Sequence, residues 1–352
     1  MRGFGFSEHG DADRLGWVGI DEPRPGPGEV RLRVAAAAFN RLDRFVLAGI
    51  PGVEVERPHV LGSDASGWVD SVGEGVRDLA PGEPVLLNPG IWDGSCEACR
   101  AGREALCRDY RIVGEHSQGT LAPFVVVPRR SVHPKPEGLT FEQAAAAPLV
   151  FQTAWRALLG VGELRPGETV ALIGAGGGVA TAALQVARWR GARTVVLSRS
   201  LEKLERARAL GAEATLPIPP DGAFDRALWA WSGKRGIDLI FDPSGEQTVP
   251  RSVRALARGG RLVVIGATTG PIAPIDLRPL FWRQASLRGS TMADRAQFEE
   301  MYQHLARGEL TPVVDSVFDI ERAAEAYRRF QSPDLFGKVV VRVGLPAAGD
   351  GA

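Results

Sequence analysis

The chain has 352 residues, 44% of them hydrophobic and 24% charged, which are ordinary values for a globular protein with a sizeable core. The 42 Lys and Arg residues balance the 42 Asp and Glu residues, which argues against a nucleic-acid partner recognised through an overall basic field. No apolar run reaches the ~18 residues of a membrane span, and residues 1–10 lack a signal-peptide core. We therefore expect a cytoplasmic protein without a membrane partner.

The first third of the chain is predicted to contain many short strands. Residues 30–34 alternate apolar and charged side chains, as a half-buried strand does. Apolar runs at 67–69 and 84–87 are separated by Gly and Pro residues, which is typical of strands joined by turns.

From residue 140 onward the pattern changes, and helices are predicted at 141–147 and 151–159. Strands are then predicted at 170–173, 194–197, 237–241 and 262–265, alternating with helices at 179–190, 201–210 and 249–257. This alternation predicts an α/β fold with a doubly wound parallel sheet. Two more helices, at 295–305 and 320–330, precede a final strand at 338–343 and a frayed tail at 345–352.

A glycine-rich turn joins the predicted strand at 170–173 to the next helix. Its residues are Gly174, Ala175, Gly176, Gly177, Gly178 and Val179. Glycines at such a turn let backbone N–H groups approach a pyrophosphate at the helix N-terminus. The position inside a βαβ unit predicts a dinucleotide site, and the alternative is a tight turn without a ligand.

The end of the second predicted strand indicates which dinucleotide binds. NAD enzymes usually carry Asp or Glu there, about 20 residues after the glycines, to bind the ribose 2′-hydroxyl. Here Ser198, Arg199 and Ser200 follow the strand, and Lys203 comes one turn later. Cations and hydroxyls suit a 2′-phosphate, so we predict NADPH. The alternative is that Ser200 caps the helix and Arg199 is merely solvated.

The three cysteines, Cys96, Cys99 and Cys107, lie within twelve positions of one another. An odd number so closely spaced argues against a disulfide framework. Three is also one short of a four-cysteine metal site.

Several short stretches, in this order, resemble the medium-chain dehydrogenase/reductase superfamily of zinc alcohol dehydrogenases and quinone oxidoreductases. They are FNRLD at 39–43, HVLGSDASG at 59–67, VGEGV at 72–76, TAW at 153–155, the glycine turn, and FGK at 336–338. The resemblance implies a GroES-like, β-rich catalytic domain at 1–150 and 292–352 and a Rossmann NADP-binding domain at 151–291. It also implies an active site in the cleft between them and cofactor contacts from Thr153 and Gly266.

The resemblance further implies a homodimer or homotetramer formed through the Rossmann domain. Residues 262–265 and the segment after them are the expected edge of that interface.

The positions that hold the catalytic zinc in zinc alcohol dehydrogenases match Asn40, Ser63 and Leu149 here. Catalytic zinc takes three protein ligands from Cys, His, Asp or Glu, so we predict no catalytic zinc. His59 and His116 are interpreted as structural or surface histidines.

The candidate catalytic residues are Asn40, Asp43, Ser63 and Asp64. The zinc-free quinone oxidoreductase branch has an Asn and an Asp at the positions of the first two. Asn40 either donates its amide N–H to the substrate or the nicotinamide, or only holds its loop. Asp64 either lines the vacated metal position with Ser63 or pairs with Arg41.

The cysteine spacing matches the structural-zinc lobe of the superfamily, whose missing first ligand falls at Asp93. A carboxylate oxygen binds zinc at about the same distance as a His nitrogen, so we predict one structural zinc on Asp93, Cys96, Cys99 and Cys107. The alternative is a vestigial lobe with three free thiols.

The predicted function is an NADPH-dependent reductase that transfers a hydride to a small carbonyl, enone or quinone substrate without a catalytic zinc. One alternative is an alcohol dehydrogenase with a rearranged metal site. Another is a non-catalytic NADPH-binding protein.

Overall fold

A computed structural model describes residues 1–344, so the predicted frayed tail at 345–352 lies outside the described residues. The chain divides into two compact units. Unit 1 is Met1–Leu149 together with the segment from Leu305 onward, and unit 2 is Val150–His304. Within residues 1–344, none of the helices has both the length and the apolar character needed to cross a bilayer.

Residues 1–344 form eighteen strands and eleven α-helices. In chain order the strands are β1 (Arg2–Phe6), β2 (Gly16–Gly19), β3 (Glu29–Ala38), β4 (His59–Val60), β5 (Asp64–Val72), β6 (Pro84–Leu87), β7 (Gly90–Ile91), β8 (Arg111–Ile112), β9 (Phe124–Pro128), β10 (Val132–Pro134), β11 (Thr169–Ile173), β12 (Arg193–Ser198), β13 (Ala214–Pro217), β14 (Ile237–Asp242), β15 (Leu256–Val264), β16 (Ser286–Gly289), β17 (Val314–Asp319) and β18 (Lys338–Arg342). The helices are α1 (Arg41–Ala48), α2 (Glu97–Arg100), α3 (Phe141–Ala146), α4 (Pro148–Trp155), α5 (Gly178–Trp189), α6 (Leu201–Ala209), α7 (Phe224–Trp231), α8 (Val249–Ala255), α9 (Leu277–Arg283), α10 (Arg295–Ala306) and α11 (Ala323–Gln331).

Unit 1 is built around a seven-stranded sheet in the order β10-β6-β5-β3-β18-β17, with β9 also paired to β3. The predicted strand at 30–34 is therefore the first half of a longer one, because residues 35–38 continue it and pair with β18. In this way β18, from the C-terminal part of the chain, becomes the neighbour of β3. Two smaller sheets, β2-β1-β4 and β7-β8, complete the unit.

Small side chains bring the layers of unit 1 close together. The alanines at 35–38 of β3 are fully buried, and Ala145 and Ala146 of α3 pack against this region. Across β3, a Cβ atom on Gly67 of β5 would lie 2.0 Å from the carbonyl oxygen of Arg33, so glycine is required there. This tight packing fixes the ends of β3 and β5, where the candidate catalytic residues lie.

Unit 2 contains a six-stranded parallel sheet in the order β13-β12-β11-β14-β15-β16. The predicted doubly wound parallel sheet is confirmed. Every residue of β11 is buried, as expected for a parallel strand covered by helices on both faces. The chain order of the strands reverses between β11 and β14, and ligands bind at the carboxyl ends of the strands at such a point.

Two local predictions in unit 2 differ from the structure in their bounds. The helix predicted at 249–257 ends at Ala255, because Leu256 is already extended and pairs with Ile237 of β14. The expected interface edge was 262–265 together with the segment after it, but 262–264 lie in β15, which is flanked by β14 and β16. The edge strand is β16, from the segment that follows.

Candidate functional site

In unit 1, the Asp43 carboxylate joins two loops. Asp43 lies in the first turn of α1, and its Oδ2 accepts a hydrogen bond from the Asn40 backbone N–H at 2.6 Å. Its Oδ1 accepts from the Gly62 N–H at 2.8 Å. Burial raises the pKa of Asp43 to about 6, although these two N–H groups and the charge of Lys338 oppose the shift. Asp43 therefore holds the start of α1 next to the loop that carries Ser63.

The Asp64 carboxylate is the most highly connected acceptor of this region. It opens β5 and is fully buried. Its Oδ1 accepts from the Leu149 backbone N–H at 2.9 Å. Its Oδ2 accepts from Asn40 Nδ2 and from Lys338 Nζ, each at 2.9 Å. The alternative prediction that Asp64 pairs with Arg41 was wrong, because Arg41 lies over the Phe330 ring instead.

Sequence reasoning missed Lys338 as a site residue. It opens β18, is 4% exposed, and donates both to Asp64 and to Asn40 Oδ1. A charged residue is rarely buried without a partner, so a lysine at the head of the apolar strand KVVVR was the available signal. The FGK stretch at 336–338 carries part of the family resemblance, but the sequence alone assigns no role to its lysine.

The Asn40 amide is fully engaged with the protein. One N–H is directed at Asp64, and Nδ2 also lies 3.3 Å from the carbonyl oxygen of Ala38. Oδ1 accepts from Lys338. Of the two roles considered for Asn40, this geometry favours holding the loop over donating to a substrate.

Ser63 provides the free hydroxyl of the cluster. The residue is completely buried, and its Oγ has no hydrogen-bond partner among residues 1–344. A buried hydroxyl without a partner is unusual and calls for an explanation. Hydrogen bonds thus join Asn40, Asp43 and Asp64 in one buried cluster of unit 1, and Ser63 is the buried residue that directly precedes Asp64.

The two histidines considered earlier have local partners. His59 is buried, its Nε2 lies 3.0 Å from the Gly114 carbonyl oxygen, and burial lowers its pKa. His116 Nδ1 accepts from the Ile112 N–H at 3.2 Å. Both contacts suit structural histidines.

Asn40, Ser63 and Leu149, at the positions that match the catalytic-zinc ligands of zinc alcohol dehydrogenases, do not fit a zinc ion. Leu149 offers no ligand atom, and Asn40 Oδ1 already accepts a hydrogen bond from the Lys338 ammonium. An ammonium carries three donors and no acceptor, so it competes with a cation for the same oxygens. Among residues 1–344, the group of His, Cys, Asp and Glu side chains that could hold a metal lies elsewhere.

That group is the predicted lobe of Asp93, Cys96, Cys99 and Cys107. One ligand atom from each residue lies within 4.8 Å of all the others. The Cys96 and Cys99 Sγ atoms are 3.4 Å apart, because α2 begins immediately after Cys96. Backbone N–H groups of Cys96 and Ser95 donate to the Asp93 carboxylate and lower its pKa to about 2. A carboxylate and three thiolates in this arrangement fit tetrahedral zinc.

In unit 2, the glycine turn forms an open cradle. Gly174 has a φ of +90°, and a Cβ atom on either Gly174 or Gly177 would meet nothing within 4 Å. Gly177 caps α5 without a side-chain hydrogen bond. The first N–H groups of α5, from Gly178 and Val179, therefore have no capping side chain, and such a helix end fits a pyrophosphate.

A cation, Arg199, directly follows β12, the first strand after the glycine turn and α5. Ser200 caps α6 through the Lys203 N–H, as considered in the alternative prediction, and the Ser198 hydroxyl accepts from the Ser200 N–H at 3.1 Å. Arg199 is exposed and forms no ion pair with any of residues 1–344. No carboxylate occupies this strand end. These features fit a 2′-phosphate.

Other predicted cofactor residues lie in the same unit. Ala175 and Gly176 are buried in the turn, and Thr153 is 7% exposed on α4. A Cβ atom on Gly266 would lie 2.9 Å from the Pro243 carbonyl oxygen, so this position needs a small residue between two strand ends. Ser290, directly after β16, has a buried Oγ without a partner among residues 1–344, and sequence reasoning did not single it out.

Comparisons with known proteins agree with this fold. Residues 26–137 match the family described as alcohol dehydrogenase GroES-like domain, and residues 178–307 match the zinc-binding dehydrogenase family. An acryloyl-coenzyme A reductase from Metallosphaera sedula is 32% identical over 92% of this chain and 94% of its own. The chain belongs to the medium-chain dehydrogenase/reductase superfamily. It is therefore an oxidoreductase of this type, as predicted.

Two solved structures share the whole fold of this superfamily member. A structure titled NAD-dependent alcohol dehydrogenase has a TM-score of 0.93 and 41% identity, covering 98% of this chain and all of the other. A crotonyl-CoA carboxylase/reductase in complex with NADP has a TM-score of 0.87 and 30% identity, covering 94% of this chain and 91% of the other. The predicted GroES-like and Rossmann architecture is confirmed.

Replacing Asp43 by Asn tests whether burial raises the pKa of its carboxyl group. The pKa is about 6 in the folded protein against 3.8 normally, so the protonated form is favoured and stability is lost as pH rises through this range. Compared with Asp43→Asn, the wild type should lose about 3 kcal/mol of unfolding free energy between about pH 4 and pH 7. Urea unfolding of both proteins across this range measures the difference, and parallel pH curves would contradict the expectation.

Metal analysis tests the lobe. The purified protein should contain about one zinc per chain, and Asp93→Ala should lose most of it while Asp93→Cys retains it. Asp109→Ala is the matched control, since this nearby acid is outside the ligand group. Equal zinc in Asp93→Ala and the wild type would refute the fourth ligand. Two zinc ions per chain would contradict the conclusion that the residues around Asn40 do not fit a zinc ion.

Proposed function

We propose that this protein is an NADPH-dependent reductase that transfers a hydride to a carbonyl, enone or quinone substrate without a catalytic zinc. The observation that carries the proposal is the Lys338 ammonium, which donates to Asn40, at one position that matches a zinc ligand by resemblance, and to Asp64, directly after another. Without a Lewis acid, an alcohol is not readily ionised for oxidation. Reduction requires only a donor for the developing oxyanion and a proton.

The proposed roles in unit 1 follow from which polar atoms are already paired. Bound NADPH supplies the hydride. The Ser63 hydroxyl has no partner in the described chain, so we assign it the hydrogen bond to the substrate oxygen. Asp43, Asn40 and Asp64 are proposed to hold Ser63 and its loop in place. No side chain of the cluster is assigned as the proton donor, and water or a ribose hydroxyl supplies that proton.

In unit 2, the turn formed by 174–179 is proposed to bind the pyrophosphate, and Thr153, Gly266 and Ser290 to contact the cofactor. Ser198, Arg199 and Lys203 are proposed to bind the 2′-phosphate. The unpaired guanidinium of Arg199 supports NADPH over NADH. The relative solved with NADP adds support.

The proposal also includes one zinc ion per chain, held by the lobe and not by the Asn40 cluster. Asp93, Cys96, Cys99 and Cys107 would hold one zinc, which supports the fold of the lobe and takes no part in hydride transfer.

The relatives named acryloyl-coenzyme A reductase and crotonyl-CoA carboxylase/reductase favour an acceptor with an activated double bond. The structure titled NAD-dependent alcohol dehydrogenase favours a second candidate, alcohol oxidation with NAD.

A direct assay separates the two candidates. The wild type should oxidise NADPH in the presence of one or more members of a panel of quinones, enones, enoyl thioesters and aldehydes. Arg199→Gln should weaken NADPH binding about 10- to 100-fold, by loss of a charge-assisted bond, and leave NADH binding unchanged. Titration of each nucleotide by fluorescence measures this split.

Arg193→Gln is the matched control, since Arg193 lies at the opposite end of β12 and pairs with Glu213. A preference for NADH would contradict the cofactor assignment. Zinc-dependent alcohol oxidation would favour the second candidate. Tight NADPH binding without turnover on any acceptor would favour a non-catalytic protein.

We also propose that two copies pair through unit 2. Within residues 1–344, β16 pairs with β15 and has an open outer edge. Leu277, Phe281 and Trp282 of the adjacent α9 are each 67–69% exposed, and such apolar side chains mark interaction surfaces. In a pair of identical chains, the open edge of β16 in one copy can pair with the same edge of the other.

Light scattering tests this pairing. The wild type should have at least twice the 37.7 kDa mass of one chain, and the double variant Phe281→Asp with Trp282→Asp should be monomeric. Leu201→Asp is the control, because Leu201 is 66% exposed on α6, which follows β12 on the other half of the sheet. A monomeric wild type would refute the proposal.

A further inference from the structure

We propose that Cys96 and Cys99 form a peroxide-sensitive dithiol, whose oxidation to a disulfide releases the zinc ion of the lobe. This inference rests on the zinc site proposed above and not on the reductase activity. It assigns a modification site to two residues that would otherwise only support the fold.

The three thiols of the lobe differ in their access to solvent. Cys96 is half-buried, whereas Cys99 and Cys107 are 8% and 6% exposed. The buried Trp92 belongs to the same small core as Cys99 and Cys107 and covers part of it. Since oxidation of a cysteine follows its exposure as well as its thiolate character, a small oxidant such as hydrogen peroxide reaches Cys96 first.

The thiol that resolves the oxidised Cys96 is already in contact with it. The Sγ atoms of Cys96 and Cys99 lie 3.4 Å apart, and the Cys99 backbone N–H donates to the Cys96 sulfur at 3.5 Å. Two residues separate these cysteines in the chain, so closing a disulfide between them requires only a local movement. Cys107 also lies within 4.8 Å of the other ligand atoms, but it belongs to the chain segment beyond α2.

The oxidation balances with hydrogen peroxide as the oxidant. The Cys96 thiolate attacks one peroxide oxygen, the O–O bond breaks, and a sulfenic acid and a hydroxide ion form. The Cys99 thiolate then attacks the Cys96 sulfur, the S–S bond forms, the S–O bond breaks, and a second hydroxide ion leaves. The two sulfurs lose two electrons in total, peroxide gains them, and two solvent protons convert the hydroxide ions to water.

Asp93 determines where the oxidation stops. A carboxylate cannot form a disulfide, so after the Cys96–Cys99 bond has formed Cys107 is the one thiol left in the lobe. Asp93 and Cys107 then offer two donors where a structural zinc site has four, and the metal is released. A lobe with four cysteines could form two disulfides, whereas this one forms one and keeps one thiol.

The test treats the full-length, zinc-loaded protein with hydrogen peroxide. A chromogenic chelator measures the released zinc, and thiols are counted after denaturation. The chain has only three cysteines, all in the lobe, so the count has no background from other sites. We expect one zinc released and two of the three thiols lost per chain. A dithiol reductant with added zinc should restore both.

Peptide mass spectrometry identifies the bond. Trypsin leaves Cys96 and Cys99 together in the peptide 78–100 and Cys107 in the peptide 104–108. The expected disulfide therefore lowers the mass of one peptide by two hydrogens. A disulfide that includes Cys107 would instead join the two peptides and would overturn the inference.

Two single substitutions in the lobe form a matched pair. Cys107→Ser should still form the Cys96–Cys99 disulfide, whereas Cys96→Ser should lose its remaining thiols about 10-fold more slowly, because those thiols are buried. Equal rates in the two variants, three intact thiols in the treated wild type, or zinc retained after the disulfide has formed would overturn the inference. A purified wild type without zinc would overturn the proposed zinc site, and the disulfide readout would then decide between oxidised and inert thiols by itself.

Discussion

Inside unit 1, the Lys338 ammonium and the Asp64 carboxylate lie 2.9 Å apart and are almost wholly shielded from water. Removing one partner of a buried pair costs about 3–5 kcal/mol, because the other charge is left uncompensated. The pair therefore demands that β18 and β5 keep their places on either side of β3. The alanines of β3 and the glycine at position 67 allow that close approach, so backbone packing and site geometry depend on one interaction.

The two places where this superfamily can hold a metal differ in their donor chemistry. The lobe retains three thiols, and its aspartate replaces one soft ligand by a hard one without losing the tetrahedral set. The cluster around Asn40 has a primary amide, a hydroxyl and an aliphatic side chain at the equivalent positions, with a cation already among them. The same chain thus combines a Cys and Asp group whose donors suit zinc with a buried cluster that is organised by hydrogen bonds.

The features that sequence reasoning predicted are those encoded locally. The parallel sheet follows from alternating strand and helix periodicity, the cofactor turn from glycines between a strand and a helix, and the lobe from the spacing of Cys96, Cys99 and Cys107. The Lys338 contact could not be predicted in this way, because its partners lie 298 and 274 positions away. The pairing of Asp64 with Arg41 was wrong because sequence proximity does not determine which cation reaches a buried carboxylate. Ser290 was not singled out because one serine after a strand has no local signature.

The position of Lys338 in the part of unit 1 that follows unit 2 has a consequence for how the protein is made. Domains generally fold as units during synthesis, N-terminal first, and unit 2 is a continuous segment that can do so. Unit 1 is interrupted, and its buried Asp64 meets its cation only after β18 has left the ribosome. The nascent N-terminal segment must therefore keep this carboxylate hydrated until the last strand inserts beside β3. Assembly of the buried Asn40, Asp64 and Lys338 cluster thus becomes a late checkpoint that a translation product truncated before β18 cannot pass.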